Sequence, residues 1–253
     1  MCLRPLLVLM SAFLLFTETI VTLAQTSAEG TVPIPTHDSA KNRNPITQVL
    51  FKPSGTGNPP PTRGAGSRND RTCSQDNIPQ PLALTALVPS NQFGLTWAER
   101  PTLWVYLPKT SARQLVLSIR EAGNRPHSQS FLPITGDAGV IGIPVATTAS
   151  PLEVGKSYQW AVVLVCGDRP SPNDPFVTAW VQRVVPSKPF SNQPSALDRA
   201  IQYGAQGVWY DAVTTLATMR RSQPNDRALT KLWTDFLTQP SVGLGTIANE
   251  PLR

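Results

Sequence analysis

Histidine is nearly missing from this sequence. His37 and His127 are the only two, and cysteine occurs three times, at Cys2, Cys73 and Cys166. A structural zinc site needs four ligands. With no CxxC or HxxxH spacing to gather them, no metal ligand is assigned. Nucleophilic catalysis needs a base held within reach of the nucleophile. The chain has no Gly-x-Ser-x-Gly, no Ser-x-x-Lys, no His-Glu-x-x-His and no Walker phosphate loop. Gly243-Leu244-Gly245 lacks a third glycine and a preceding strand, and reads as a turn. His127, beside Pro126, reads as a half-exposed surface residue. No catalytic residue and no cofactor-binding residue is expected. Also absent after residue 24 is any run approaching the ~18 apolar residues of a membrane-spanning helix.

What opens the chain is a targeting pattern. Arg4 is the only charge before the apolar run Leu6–Phe16, and Thr22 and Ala24 sit at the −3 and −1 positions of a cleavage site. Residues 1–24 therefore read as a signal peptide, with Ala28 as the alternative cleavage point, and the protein as extracytoplasmic: periplasmic, envelope-associated or secreted. Cys2 precedes the apolar run, so it is not a lipoprotein cysteine. Cleavage removes one base (Arg4) and one acid (Glu18), leaving the net charge at +6. Nucleic-acid binders cluster their basic residues; here only Arg220 and Arg221 are adjacent. A scattered basic surface is expected, with attraction to an anionic polysaccharide as the alternative and no nucleic-acid partner.

Export leaves two cysteines in an oxidising compartment, where an isolated pair is usually a disulfide. A Cys73–Cys166 bridge would close a loop of 93 residues, worth at most ~4 to 5 kcal/mol by loop entropy.

From Gln25 to about Gln80 the composition is rich in Pro, Gly, Ser and Asn, with Val49-Leu50-Phe51 the only apolar cluster. Such a stretch buries too little surface to offset ordering entropy, so residues 25–80 read as a disordered spacer, and His37 falls within it. The texture changes at Pro81. LALTALVP, TLWVYLP, QLVLSIREA, SQSFLPI, GVIGIPV, SYQWAVVLVC and FVTAWVQRVV follow at short intervals, bounded by turn residues. In the third, Leu115, Leu117 and Ile119 share a face. In the sixth, Tyr158, Trp160, Val162, Leu164 and Cys166 share one face, while Ala161, Val163 and Val165 make the other apolar too. That strand reads as central and covered on both sides. Seven strands over 81–186 predict an antiparallel β-sandwich, immunoglobulin-like in outline. It is not a standard immunoglobulin domain, since Trp104 lies 31 residues after Cys73 and Leu164 stands where that fold has its tyrosine.

Over 190–253 the period becomes helical. Ser195 can cap a helix reaching Gln206, Gly207 breaks it, a second runs from Val208 to Arg221, and Asp226 can cap a third. The segment Gly207–Asp226 resembles the second helix of a tetratricopeptide repeat, with Gly207, Trp209, Ala212 and Pro224 at its turn, aromatic, small and closing positions. An ordinary helical hairpin fits equally. Solenoids need about three repeats, so these helices must pack on the sandwich or on a partner.

Trp104, Trp160 and Trp180 lie within strands and are expected in the core; Trp97, in FGLTWAERP, is expected to be exposed. With Tyr210, Arg220 and Arg221 it forms the set of possible ligand or partner contacts. The carboxylates Glu99, Glu121, Glu153, Asp168, Asp174 and Asp211 stay open to acid–base work. Glu99 and Asp168 read as turn or surface ion pairs beside Arg100 and Arg169, and Asp211 as solvated.

Together LTALVPSNQFGLTWAERPTLWVYLP, PLEVGKSYQWAVVLVC, GVWYDAVTTLATMRR and SVGLGTIANEPL, in that order from Cys73 to Arg253, resemble the exported cyanobacterial family known as domain of unknown function 928. The resemblance implies an extracytoplasmic cyanobacterial protein and supplies no activity. The expected function is a non-enzymatic exported protein, a structural or interaction module that docks an envelope protein. A carbohydrate-binding module using Trp97 and a carboxylate-dependent hydrolase are the alternatives. The disulfide is directly testable: purified without reductant, the protein should take up no thiol reagent at Cys73 or Cys166 until it is reduced, and two freely alkylating cysteines would overturn the pairing.

Overall fold

Among the described residues, runs of β-branched and aromatic residues cut short by Pro, Gly and Asn form eight strands, and the three segments of helical period form three α-helices. The computed structural model describes residues 48–54, 72–76, 82–188, 190 and 193–253. The expected signal peptide, Cys2, His37 and most of the expected spacer lie outside these residues.

The strands are β1 (Thr85–Ala86), β2 (Phe93–Thr96), β3 (Thr102–Leu107), β4 (Gln114–Glu121), β5 (Arg125–Pro133), β6 (Gly139–Pro144), β7 (Ser157–Val165) and β8 (Phe176–Arg183). They make a three-stranded sheet ordered β1-β3-β6 and a five-stranded sheet ordered β2-β8-β7-β4-β5. Neighbours are antiparallel except β2 and β8, which run parallel with Phe93 opposite Trp180. The expectation of seven antiparallel strands is corrected here. FGLT is four residues long and contains a glycine, so it carries too little period-two pattern to be read as a strand. Its pairing is set by β8, far along the chain.

Leu115, Leu117 and Ile119 of β4 and Tyr158, Trp160, Val162 and Leu164 of β7 are buried as expected. β7 is central, between β4 and β8. Its second face is covered in part: Val165 is buried, while Gln159, Ala161 and Val163 are half-buried and help to floor a concavity of about 400 Å3. Small apolar side chains there alternate with Ser118, Gln159 and Thr178, which tolerate water.

The helices are α1 (Ala196–Ala205), α2 (Trp209–Ser222) and α3 (Arg227–Leu237). Ser195 caps α1 in a capping box with Asp198, and the Asp226 carboxylate accepts from the Ala228 and Leu229 amides at the start of α3. α1 ends in a Schellman turn, in which Val208 N–H donates to the Tyr203 carbonyl and Gly207 N–H to the Gly204 carbonyl. Gly207 has φ 70°, which a residue with a Cβ resists. No tetratricopeptide repeat is established. The apolar side of α2 is covered by the sheets, where a solenoid would place its next repeat: Gly94 of β2 lets the Trp209 and Tyr210 side chains pack directly on the strand backbone.

Side chains of both sheets and all three helices join in one core. Two residues of segment 48–54, which the sequence assigns to the spacer, also belong to it. Val49 and Phe51 are buried, and the Phe51 ring stands edge-on to Trp209 and Phe236 at 5.0 and 6.3 Å. The Cys73–Cys166 disulfide is formed, joining the chain ahead of β1 to the residue after β7. Asp76 and Asp174 brace its two ends by accepting from the Cys73 and Cys166 amides.

Three indole N–H groups hold α2 to the sheets. Trp160 Nε1 donates to the Tyr210 hydroxyl at 2.7 Å, Trp209 Nε1 to the Leu87 carbonyl at 2.8 Å, and Trp104 Nε1 to the Thr214 hydroxyl at 2.9 Å. The Tyr210 hydroxyl in turn donates to the Trp180 carbonyl at 2.9 Å. Tyr210→Phe strands a buried donor and a buried acceptor, at a cost of about 1–3 kcal/mol. A fall in melting temperature of roughly 2–10 °C is expected for a domain of this size, and an unchanged melt would refute the relay.

Candidate functional site

The residues expected to contact a ligand or partner do not form one surface. Tyr210 is fully buried in the relay just described, so it is not a surface contact; burial also raises its hydroxyl pKa. Arg220 and Arg221, in the last turn of α2, lay their guanidinium groups over the Trp233 and Trp104 rings at 5.8 and 5.1 Å. They shield the edges of the core and favour the helix C-terminus. Trp97 is half-buried, and this corrects its expected exposure: its ring meets Tyr203 and Phe190 edge-on at 5.0 and 5.5 Å. Trp104, Trp160 and Trp180 are in the core, as expected.

Asp211 adjoins the Trp97 cluster. It was expected in solvent, but its Oδ2 accepts from the Thr96 hydroxyl at 2.7 Å and from Trp97 N–H at 3.1 Å, stapling the end of β2 to the first turn of α2. Burial pushes its carboxyl above the usual carboxylate range, against the opposing pull of those hydrogen bonds. Burial, and then the neighbouring Asp211 charge, raise the Tyr203 hydroxyl as well. Asp211, Tyr203, Thr96, Arg100 and Thr214 line a cleft of about 220 Å3, and Arg100 Nε is buried without a partner among the described residues.

The other carboxylates are tied into separate local networks. Glu99 pairs with Arg183 at 2.9 Å, not with Arg100, whose Nη2 donates to the Ala149 carbonyl. Glu121 binds Arg125 and Lys156, and Glu153 also binds Lys156. Asp174 is buried beside the disulfide, and Asp168 is exposed. His127 is half-buried, its Nε2 3.0 Å from the Ser150 carbonyl oxygen and its ring against Tyr158.

A larger concavity at the helices was not singled out from the sequence. It is an open groove of about 880 Å3 between α1 and α3, floored by Leu197, Leu229 and Leu232, with Ala228 and Pro240 beside them. The Lys231–Asp235 ion pair sits on its rim, and Gln48 and Gln239 line it as well. The available signal was the apolar stripe of α3, in which Leu232, Trp233, Phe236 and Leu237 are buried and Leu229 is left half-buried at the groove.

A family model described as Domain of Unknown Function (DUF928) matches residues 63–252. The chain belongs to the DUF928 family. Segment 48–54 precedes the matched region. No curated protein matches the chain. Among solved structures it is similar to the fn3 domain of human collagen alpha-1(XX) chain, at 15% identity over 47% of this chain and 93% of that one. The TM-score of 0.27 is too low to carry an argument.

The Asp211 staple gives this DUF928 protein a predictable pH response. A carboxyl whose pKa is raised on folding favours the fold when protonated. That contribution is complete below the ordinary value of ~3.9 and is lost as pH rises through the raised one. Asp211→Asn keeps an acceptor for Thr96 and Trp97 without the titration. Denaturant unfolding should therefore show wild type losing stability relative to the variant as pH rises above about 4. Parallel pH profiles would show that Asp211 does not titrate abnormally.

Proposed function

We propose that this protein is a non-enzymatic, exported module of the cell envelope or secreted space that docks a protein partner through its helical bundle. The cyanobacterial source and extracytoplasmic address implied by the sequence belong to the same proposal. One observation carries it: the apolar groove between α1 and α3, walled by two helices and rimmed by Lys231 and Asp235, has the shape and lining that receive an amphipathic helix. The tetratricopeptide-like character of Gly207–Asp226 supports the reading as a likeness, since paired helices in that class present grooves to partners. A second reading, a saccharide-binding module, draws on the Asp211 cleft with its threonine hydroxyls and its aromatic neighbour Tyr203.

Deleting 190–253 would not test docking, because Trp209, Tyr210 and Phe236 belong to the common core. Ala228→Arg is the suitable variant, as Ala228 is exposed and lines the groove. Wild-type protein should retain a protein from envelope extracts that Ala228→Arg loses at unchanged melting temperature. Identical partners for both, or none, count against docking, and glycan binding in their place would move the conclusion to the second reading.

A further inference from the structure

The segment Gln48–Ser54 lies in a channel whose chemistry is that of a peptide-binding site. Its side chains alternate: Val49 and Phe51 are buried, while Leu50 is 52% exposed and Lys52 is exposed. Four of its backbone groups are matched by the channel. Phe51 N–H donates to Gln239 Oε1 at 2.8 Å, and Gln239 Nε2 donates to the Val49 carbonyl at 2.9 Å, so one carboxamide imitates a neighbouring strand. Lys52 N–H donates to the Gly204 carbonyl at 3.0 Å, and Ser241 Oγ to the Phe51 carbonyl at 3.2 Å. The wall is kept free of side chains. A Cβ on Gly204 would stand 2.5 Å from the Leu50 carbonyl oxygen, and one on Gly207 2.8 Å from that of Lys52.

We propose that this channel is an exchangeable peptide site, filled in cis within one molecule and by the Gln48–Ser54 segment of a second copy when two molecules meet. Every contact above is made to the segment itself, and none depends on which molecule supplies it. The connection does not forbid exchange either. Residues 55–71 separate Ser54 from Thr72, and a chain of that length spans up to about 60 Å. A folded body of this size is about 40 Å across. In dilute solution a segment of the same chain outcompetes one from a second molecule, so monomers dominate. Where cis seating is blocked, or copies are crowded, the same contacts link molecules, closing a dimer if exchange is reciprocal and extending a chain if it is not.

The inference goes beyond partner docking in the open groove. Ala228→Arg leaves the channel intact, so the two readings fail separately. Two full-length variants test it. Phe51→Asp cannot seat its own segment but keeps the channel; Gly204→Leu blocks the channel but keeps the segment. A labelled peptide with the sequence of residues 48–54 should bind Phe51→Asp at least ten-fold more tightly than wild type. Mixing the variants should yield a one-to-one heterodimer by native mass spectrometry, with each alone monomeric. Equal or absent peptide binding by folded Phe51→Asp and wild type, or a mixture containing monomers only, overturns the proposal. If either variant fails to fold, a protease site inserted within residues 55–71 of the otherwise wild-type chain replaces them. After cleavage, excess labelled peptide should displace the cut segment over hours; retention of that segment, or its loss without uptake of the label, overturns the proposal.

Discussion

The fold turns on one constraint: a helix carrying Trp209 and Tyr210 is sunk against two sheets that themselves bury Trp104 and Trp160, and the polar tips of those four side chains must be accommodated inside. An indole N–H that meets a partner avoids the cost of a bare buried donor and fixes how its ring is seated. Trp104, Trp160 and Trp209 meet that demand, while Trp180 and Trp233 keep a buried Nε1 without a partner among the described residues. The Tyr210 hydroxyl accepts from Trp160 of β7 and donates to the Trp180 carbonyl of β8, joining two adjacent strands through one helix residue. Apolar surface alone would let α2 slide or rotate on the sheets. The relay, with Trp209 on the Leu87 carbonyl and Trp104 on Thr214, leaves one seating.

Once α2 is seated, the positions of its neighbours follow. The Schellman turn at Gly207 sets α1 against α2, and Pro224 with the Asp226 cap returns α3 to the same side. Trp209 and Phe236 then stack at 5.3 Å with nearly parallel rings, leaving an edge that Phe51 fills. The aromatic seat for segment 48–54 is therefore made by the meeting of α2 and α3. Gln239 and Ser241, just past α3, are placed to satisfy its backbone. The disulfide acts at a distance from this, pinning the chain ahead of β1 to the end of β7.

What could be read from sequence was what local chemistry decides. Ser195, Gly207, Pro224 and Asp226 mark helix ends because capping and breaking act within one turn, and the period-two faces of β4 and β7 reveal the core side because pleating alternates side chains. The missing pieces depend on distant partners. β2 is a strand only because β8 pairs with it. Val49 and Phe51 look stranded in a Pro- and Gly-rich stretch because their binding site is built from residues 204–241. Trp97, Tyr210 and Asp211 were misplaced for a related reason: whether an aromatic or a carboxylate beside a strand end faces water depends on what packs over it, and α1 and α2 do so here. Cysteine pairing was legible because only two cysteines follow the apolar leader.

Charge bears on which kind of recognition this architecture supports. The basic excess suggests attraction to anionic surfaces, and part of it is committed within the fold. Of the sixteen Lys and Arg among the described residues, Arg125, Lys156, Arg183 and Lys231 face carboxylates, while Arg220 and Arg221 lie over tryptophans. The ion pairs are partly exposed, so they contribute little to stability. The groove between α1 and α3 is instead floored by leucines, and the channel of segment 48–54 is lined by backbone acceptors and a carboxamide. Binding of that kind relies on burial and short-range hydrogen bonds, which salt screens weakly. It also selects by shape: Gly204 and Gly207 admit a backbone where any side chain would clash, whichever molecule that backbone comes from.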